Sequence, residues 1–386
     1  MSLLDLSSEL LLMIASLETE QDINSLCRTN KRLYFLLNSY LYRINSCTPR
    51  PALVWATFHG NENTARMSIQ AGAETGWTDP GGRGLLCWAA LSRHEAIVRL
   101  LLKTGKVNLD LKDSEGRTPL SWAASSGYKV AVQLLLRTGN VHVDSKDYEG
   151  RTPLSRAAEH GRTEVMRLLL ETRKVELDSE DVDGLTPLSW AAESSHEAVM
   201  KLLIETGKVN VDSKDYEGLT PLSRVASNGS KAAVQLLLRT GKVDVDSKNN
   251  EGRTPLSWAA QFGFEEVVKL LLQTRKVEVD SKDNEGLTPL CWAAQDENVE
   301  VVKLLLQTRE VDVDSKDNKG RTPLSWAAEF GYVEVVKLLL QTSKVEVGSK
   351  DNEGRTPLSR AAEHGRTEIM RLCRNYLKNT AWKPGL

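Results

Sequence analysis

The chain reads as an all-α solenoid: a stack of hairpin–helix–turn–helix units behind a small helical segment. Three observations predict it. The tripeptide Thr-Pro-Leu begins at Thr118, Thr152, Thr186, Thr220, Thr254, Thr288, Thr322 and Thr356, always 34 residues on. Degenerate copies stand at Gly84-Leu85-Leu86, in register, and at Pro51-Ala52-Leu53, one residue closer. A turn glycine recurs without a gap at Gly82, Gly116, Gly150, Gly184, Gly218, Gly252, Gly286, Gly320 and Gly354. Self-similarity at this period means supersecondary units that bury a core only by stacking on one another.

Residues 283–317 show what each part of a unit does. Asp283-Asn284-Glu285-Gly286 is a turn signal, with Gly where the backbone needs positive φ. Thr288 can cap a helix and Pro289 suits its first turn. Leu290, Ala293 and Ala294 then mark a short first helix whose small residues admit close neighbours. Val301, Val302, Leu304, Leu305 and Leu306 mark a more apolar second helix, with Lys303 and Gln307 on its wet side. Val311 and Val313 alternate with Glu310 and Asp312, which reads as a short extended arm. Between the helices a Gly is favoured, as at Gly127 and Gly263. Arg93, Ser195 and Glu297 replace it, and those three turns are expected to be strained.

The ends break the pattern. Arg374 stands where an apolar residue of the second helix would meet a further repeat, so it reads as a cap. Residues 379–386 form an irregular tail, expected to pack loosely or be disordered. In front, residues 1–44 carry three short amphipathic helices. Leu10, Ile14 and Leu17 share a face behind Ser7, Asp22 opens a second helix, and Leu33, Leu36, Leu37, Tyr40 and Leu41 give a third. Such a segment is too small to be stable without a partner or the first repeat.

Composition narrows the class. The net charge of −2 offers no basic excess for nucleic acid or an anionic membrane. No apolar run approaches a membrane span, and no signal-peptide pattern opens the chain. The five cysteines fit neither a zinc pattern nor a disulfide framework, which points to a reducing compartment, cytoplasm or nucleus. The His-Glu pairs at His94 and His196 lack the second His of a zinc hydrolase, and no phosphate loop or nucleophile elbow is present. No enzyme activity, cofactor or metal is expected.

The units from residue 48 to 378, about ten of them, resemble the ankyrin repeat through Thr-Pro-Leu, the hairpin Gly and the paired helices. The family's usual His after Thr-Pro-Leu is here Ser (Ser121, Ser155, Ser189, Ser223, Ser257, Ser325, Ser359) or Cys291. The resemblance implies a module that holds a protein target in the groove beside its hairpins and first helices. The front segment resembles an F-box, in the form that precedes ankyrin repeats in filamentous fungi. Leu6-Ser7-Ser8-Glu9-Leu10, Asp22-Ile23-Asn24-Ser25-Leu26 and Arg28 to Tyr34 carry that likeness. It implies that Leu6, Leu10, Ile14, Ile23 and Leu26 dock on a Skp-type adaptor and cullin, so that the chain selects a target for a ubiquitin ligase. An ankyrin scaffold with no ligase link, and an auxiliary component of a fungal metabolic pathway, are the alternatives.

Candidate target-binding residues follow from positions that vary between copies. Trp122, Trp190, Trp258, Trp292 and Trp326 share one first-helix position with Trp88. They form either a recognition strip or packing between neighbours, and packing is the plainer reading. Arg156, Arg224 and Arg360 replace Trp, which suggests a partly exposed position and a pointer to specificity. Tyr148 and Tyr216 are exposed aromatic candidates at hairpin tips. The recurring pairs Lys146-Asp147, Lys214-Asp215, Lys282-Asp283, Lys316-Asp317 and Lys350-Asp351 read as a solvated hairpin edge. A longer period is also visible: His94-Glu95-Ala96 returns at His196-Glu197-Ala198, and residues 151–168 return at 355–372 with Val165 changed to Ile369. This reads as duplication in blocks.

Overall fold

The computed structural model describes residues 52–342 and 344–381. The F-box-like segment expected over residues 1–44, with Leu6, Leu10, Ile14, Ile23 and Leu26, lies outside the described residues. The described chain falls into two compact units, meeting in sequence at Val182 and Asp183.

Each unit is built from the helix pair that the repeat predicts. Pro289–Gln295 and Val299–Leu306 form one such pair. Thr288 caps the first helix, accepting from Cys291 N at 3.3 Å, and Pro289 occupies its first turn, where no N–H is needed. Thr118, Thr152, Thr186, Thr220, Thr254, Thr322 and Thr356 cap their helices in the same way. The side chain that replaces His is used locally. Ser121 Oγ lies 3.2 Å from Thr118 Oγ1, both buried, so two hydroxyls satisfy one another at the helix start.

Within each compact unit, first helices stack on first helices and second helices on second. In the unit up to Val182, Leu120, Ala123 and Ala124 of one helix and Ala131, Val132 and Leu135 of its partner have no exposed surface. The second unit repeats this with Leu256, Ala259, Ala260, Val267, Val268 and Leu271. Small side chains at these positions let adjacent first helices approach closely, and Val225, which replaces the Ala of other repeats, is accommodated fully buried.

The turns follow the reading of the glycines. Gly286 has φ +79°, and a Cβ there would sit 2.6 Å from Asn318 Oδ1, so both the conformation and the close approach demand Gly. Where Gly is missing between helices, Arg93, Ser195 and Glu297 keep positive φ of 59°, 55° and 57°. Each holds a left-handed backbone that costs an L-residue about 1–2 kcal/mol. Arg173 and Arg275 do the same after the second helix, at 55° and 53°, which the sequence reading missed.

Three expectations need correction. The extended arm is not a strand; among the described residues the one β-bridge is the isolated pair Thr78 and Gly84. Val311 and Val313 do alternate in burial, but the N–H between them, on Asp312, is taken at 2.7 Å by the Asp280 carboxylate of the preceding repeat. A side chain thus does the work of a neighbouring strand. The tail does not begin at 379, because the last helix runs Thr367–Ala381. The hairpin Lys-Asp pairs are solvated only at Lys: Asp147, Asp215, Asp283, Asp317 and Asp351 are buried, while each Lys is exposed. The ammonium groups of Lys146, Lys214, Lys282 and Lys316 reach forward, as Lys282 Nζ does to Lys316 O at 2.7 Å and Lys316 Nζ to Lys350 O at 3.0 Å. Arg374 is exposed, as a capping charge should be.

Candidate functional site

The hairpin carboxylate organises the face on which the candidate residues lie. Asp283 Oδ1 accepts two backbone N–H groups, from Glu285 at 3.0 Å and Leu287 at 2.9 Å, and so closes the turn. Its second oxygen is left for a donor from the first helix, nine residues on. Trp292 Nε1 supplies it at 2.9 Å. Trp122 does this for Asp113 at 2.9 Å and Trp88 for Asp79 at 3.1 Å.

Arginine at the same position replaces one donor by another. Arg156 Nε gives to Asp147 Oδ2 at 2.8 Å, Arg224 Nε to Asp215 Oδ2 at 3.1 Å, and Arg360 Nε to Asp351 Oδ2 at 3.0 Å. Further carboxylates complete the pairing: Glu149 at 2.6 Å for Arg156, Glu193 for Arg224, and Glu329 at 2.5 Å for Arg360. The expectation that Arg marks an exposed position is therefore overturned for Arg156 and Arg360, which are buried, while Arg224 is largely covered. A guanidinium carries a desolvation cost that only direct carboxylate bonds offset, and these have them. Burial opposes the ionisation of Asp351, yet the Arg355 N–H and the Arg360 and Arg355 guanidinium groups outweigh it and hold that carboxyl at about 2.

The tryptophans are half-buried, except Trp326, which is buried. The arginine that directly follows the hairpin Gly lies over several of them. Arg117 Cζ is 4.0 Å from the Trp122 ring centroid and Arg321 Cζ is 3.6 Å from that of Trp326. Trp122 and Trp88 bond their own hairpin and lie under their own arginine, whereas Trp326 has the arginine without the hairpin bond; packing accounts for these indoles.

The tips differ. Tyr148 is 70% exposed and Tyr216 is 67% exposed, as expected, and Val182 is exposed as well. Their backbones are pinned while their side chains are free. Tyr148 N donates to Glu115 O at 2.9 Å, Val182 N to Glu149 O at 3.0 Å, and Tyr216 N to Asp183 O at 3.0 Å. Asn at later tips is used structurally: Asn284 Nδ2 donates to Asn250 O at 2.9 Å and Asn318 Nδ2 to Asn284 O at 2.8 Å.

Sequence reasoning passed over Phe262 and Phe330, two exposed aromatics of the second unit. Each stacks on a Trp four residues earlier, with centroids 6.1 Å apart for Trp258 and 5.9 Å for Trp326. The signal was available. The residue before the inter-helix turn is His, Ser, Asn or Asp in the other Thr-Pro-Leu units, and Phe in these two.

Chemistry finds little footing. Among the described residues no group of three His, Cys, Asp or Glu could hold a metal ion. Burial pushes the thiols of Cys87, Cys291 and Cys373 up to about 12, 11 and 11, far from a nucleophile's range. His94 and His160 bond backbone carbonyls, at 3.2 Å to Phe58 and 3.0 Å to Arg156, as framework does. No helix among the described residues is long and apolar enough to cross a membrane.

Comparison with known proteins agrees with this geometry. The family model of ankyrin repeats (3 copies) matches residues 53–147, 131–215, 206–283, 275–351 and 309–381. No curated protein sequence matches the chain. Among solved structures, the chain is similar to the ankyrin repeat domain of Bcl-3, described as a unique member of the IkappaB protein family. It is 28% identical, with a TM-score of 0.50, over 58% of this chain and 99% of that one. With matches running from residue 53 to 381, the chain belongs to the ankyrin-repeat family.

Proposed function

We propose that the chain recognises a protein target through side chains carried on its hairpin tips and first-helix face. The carrying observation is Tyr148, 70% exposed on a tip whose backbone is already bonded to the neighbouring hairpin. An aromatic ring held on a fixed backbone adds contact area at little cost in ordering on binding. The buried arginines and the hairpin-bonded tryptophans Trp122 and Trp292 serve as the frame that aims it. Trp190 belongs to the same register of the face.

Tyr148→Ala and Tyr216→Ala test the reading. Surface truncations of this kind leave stability within about 0.5 kcal/mol. Loss of an interface anchor weakens binding by about 2 kcal/mol, roughly thirtyfold. Proteins captured from lysate by the full chain and lost with these variants are targets. Capture unchanged by both variants would move recognition to another surface.

A finer proposal makes the chain the target-selecting subunit of a cullin-type ubiquitin ligase, with residues 1–44 recruiting a Skp-type adaptor. Its support is the F-box resemblance alone. Co-purification of adaptor and cullin with the full chain, and not with a version lacking residues 1–44, is the expected result. Absence of the adaptor from both leaves an ankyrin scaffold.

A further inference from the structure

One hairpin departs from the carboxylate rule. Where the other Thr-Pro-Leu units carry Asp, the one that begins at Thr254 carries Asn249. Its Oδ1 still closes the turn, accepting from Glu251 N at 3.1 Å and Arg253 N at 2.8 Å. Its other side-chain atom is an amide nitrogen, which donates and cannot accept. Two donors beside this hairpin, Trp258 Nε1 and Arg253 Nε, are both buried with no hydrogen-bond partner. A second exchange compounds the first. Arg151 bonds Glu159, at 3.1 Å, but Arg253 finds the neutral Gln261 Oε1 at 2.5 Å. Arg253 is 6% exposed and has no ion pair among the described residues.

What holds the guanidinium is aromatic. It lies 3.5 Å from the Trp258 centroid and 4.2 Å from that of Trp292. The column continues outward through Trp258 to Phe262, half exposed. Trp292 packs on the other side against the cluster containing Trp326, which stacks on Phe330. Asp296, exposed beside this column, bonds Gln261, and together with Asp283 and Glu251 it acts on Arg253 through charge at a distance and not by a direct bond. Burial without a bonded carboxylate lowers the Arg253 pKa to about 10.

We infer that Arg253 is the docking point for an aspartate or glutamate side chain of the target, seated between apolar contacts to Phe262 and Phe330. The argument is charge complementarity. Asn249 and Gln261 leave a buried cation, gripped by two indoles, without the anion that its counterparts have. A partner carboxylate supplies that anion from outside, and the exposed phenylalanines provide apolar surface beside it. This rests on the protein-recognition reading above and names the chemistry of one of its contacts.

The test restores the missing carboxylate from within. A displayed library of random dodecapeptides is selected on the full chain, and the selected peptides are titrated against it and against Asn249→Asp. That variant follows the rule of the other hairpins and is expected to fold. Arg253→Leu is the second variant, since Leu287 already occupies that position in the next repeat. The expected result is peptides rich in Asp or Glu beside an apolar residue, weakened by roughly tenfold or more in both variants. Peptides that lack a carboxylate, or that keep their affinity for both variants, would overturn the inference and leave protein recognition standing. Selection of no peptide at all counts against both.

Discussion

At the scale of the residue, one hairpin carboxylate carries much of the burden in most repeats. Asp283→Ala would strip acceptors from Leu287 N, Glu285 N and Trp292 Nε1 at once. The buried Leu287 N–H alone is expected to cost about 1–3 kcal/mol, visible as a lower urea midpoint with unchanged slope. Acid should act on the last hairpin in a defined direction. The Asp351 carboxyl titrates near 2 in the fold against 3.8 outside it, so its stabilisation is present above pH 3.8 and lost as pH falls toward 2. The carboxylates of Asp144, Asp212, Asp246, Asp280 and Asp314 behave oppositely. Burial raises each of them, only partly offset by a backbone N–H from the following repeat, and each leaves one buried oxygen unbonded. Their contribution is greatest below pH 3.8 and is lost as pH rises through the raised folded value. Asp280→Asn keeps an acceptor for Asp312 N and removes the charge. It is therefore expected to hold or raise stability at pH 7, and to flatten the pH dependence between pH 4 and 7 in thermal melts.

At the scale of the element, helices and turns were legible and bonding partners were not. Thr-Pro at a helix start and Gly at a turn are local requirements, so Thr288, Pro289 and Gly286 announced themselves. The apolar stripe Val301, Val302 and Leu305 is likewise a property of its own segment, and it is buried. Arg156 could not be read this way. Its environment is set by Asp147 and Glu149, seven to nine residues back, and a swap of Trp for Arg looks like exposure until the shared acceptor is seen. The arm at Val311 failed for the same kind of reason: its N–H partner lies in another repeat. Gly286→Ala tests the turn. A Cβ would collide with Asn318 Oδ1 in a left-handed backbone, and the variant is expected to unfold at lower denaturant, with the local hairpin amides exchanging first.

At the scale of the whole molecule, contacts run between adjacent repeats, so damage should stay near its origin. Leu271 is fully buried in its helix Glu265–Gln273, and Leu271→Ala is expected to cost about 2–5 kcal/mol. Hydrogen exchange should show fraying in the repeats beside it and protection retained in distant ones. Uniform loss of protection along the chain would mean a single cooperative body instead.

The bonds that lysines send to the following repeat and asparagines to the preceding one carry a consequence for how such a chain changes over generations. Lys282 Nζ and Asn284 Nδ2 each donate to a main-chain carbonyl of the adjoining repeat, and every amino acid supplies that carbonyl. A junction built so is indifferent to the side chains of the copy placed beside it. Unequal recombination can then insert or delete blocks of repeats without breaking the seam, as the near-identity of residues 151–168 and 355–372 suggests. Positions such as 148, 216 and 253 remain open to selection copy by copy, on a frame whose length is itself heritable variation.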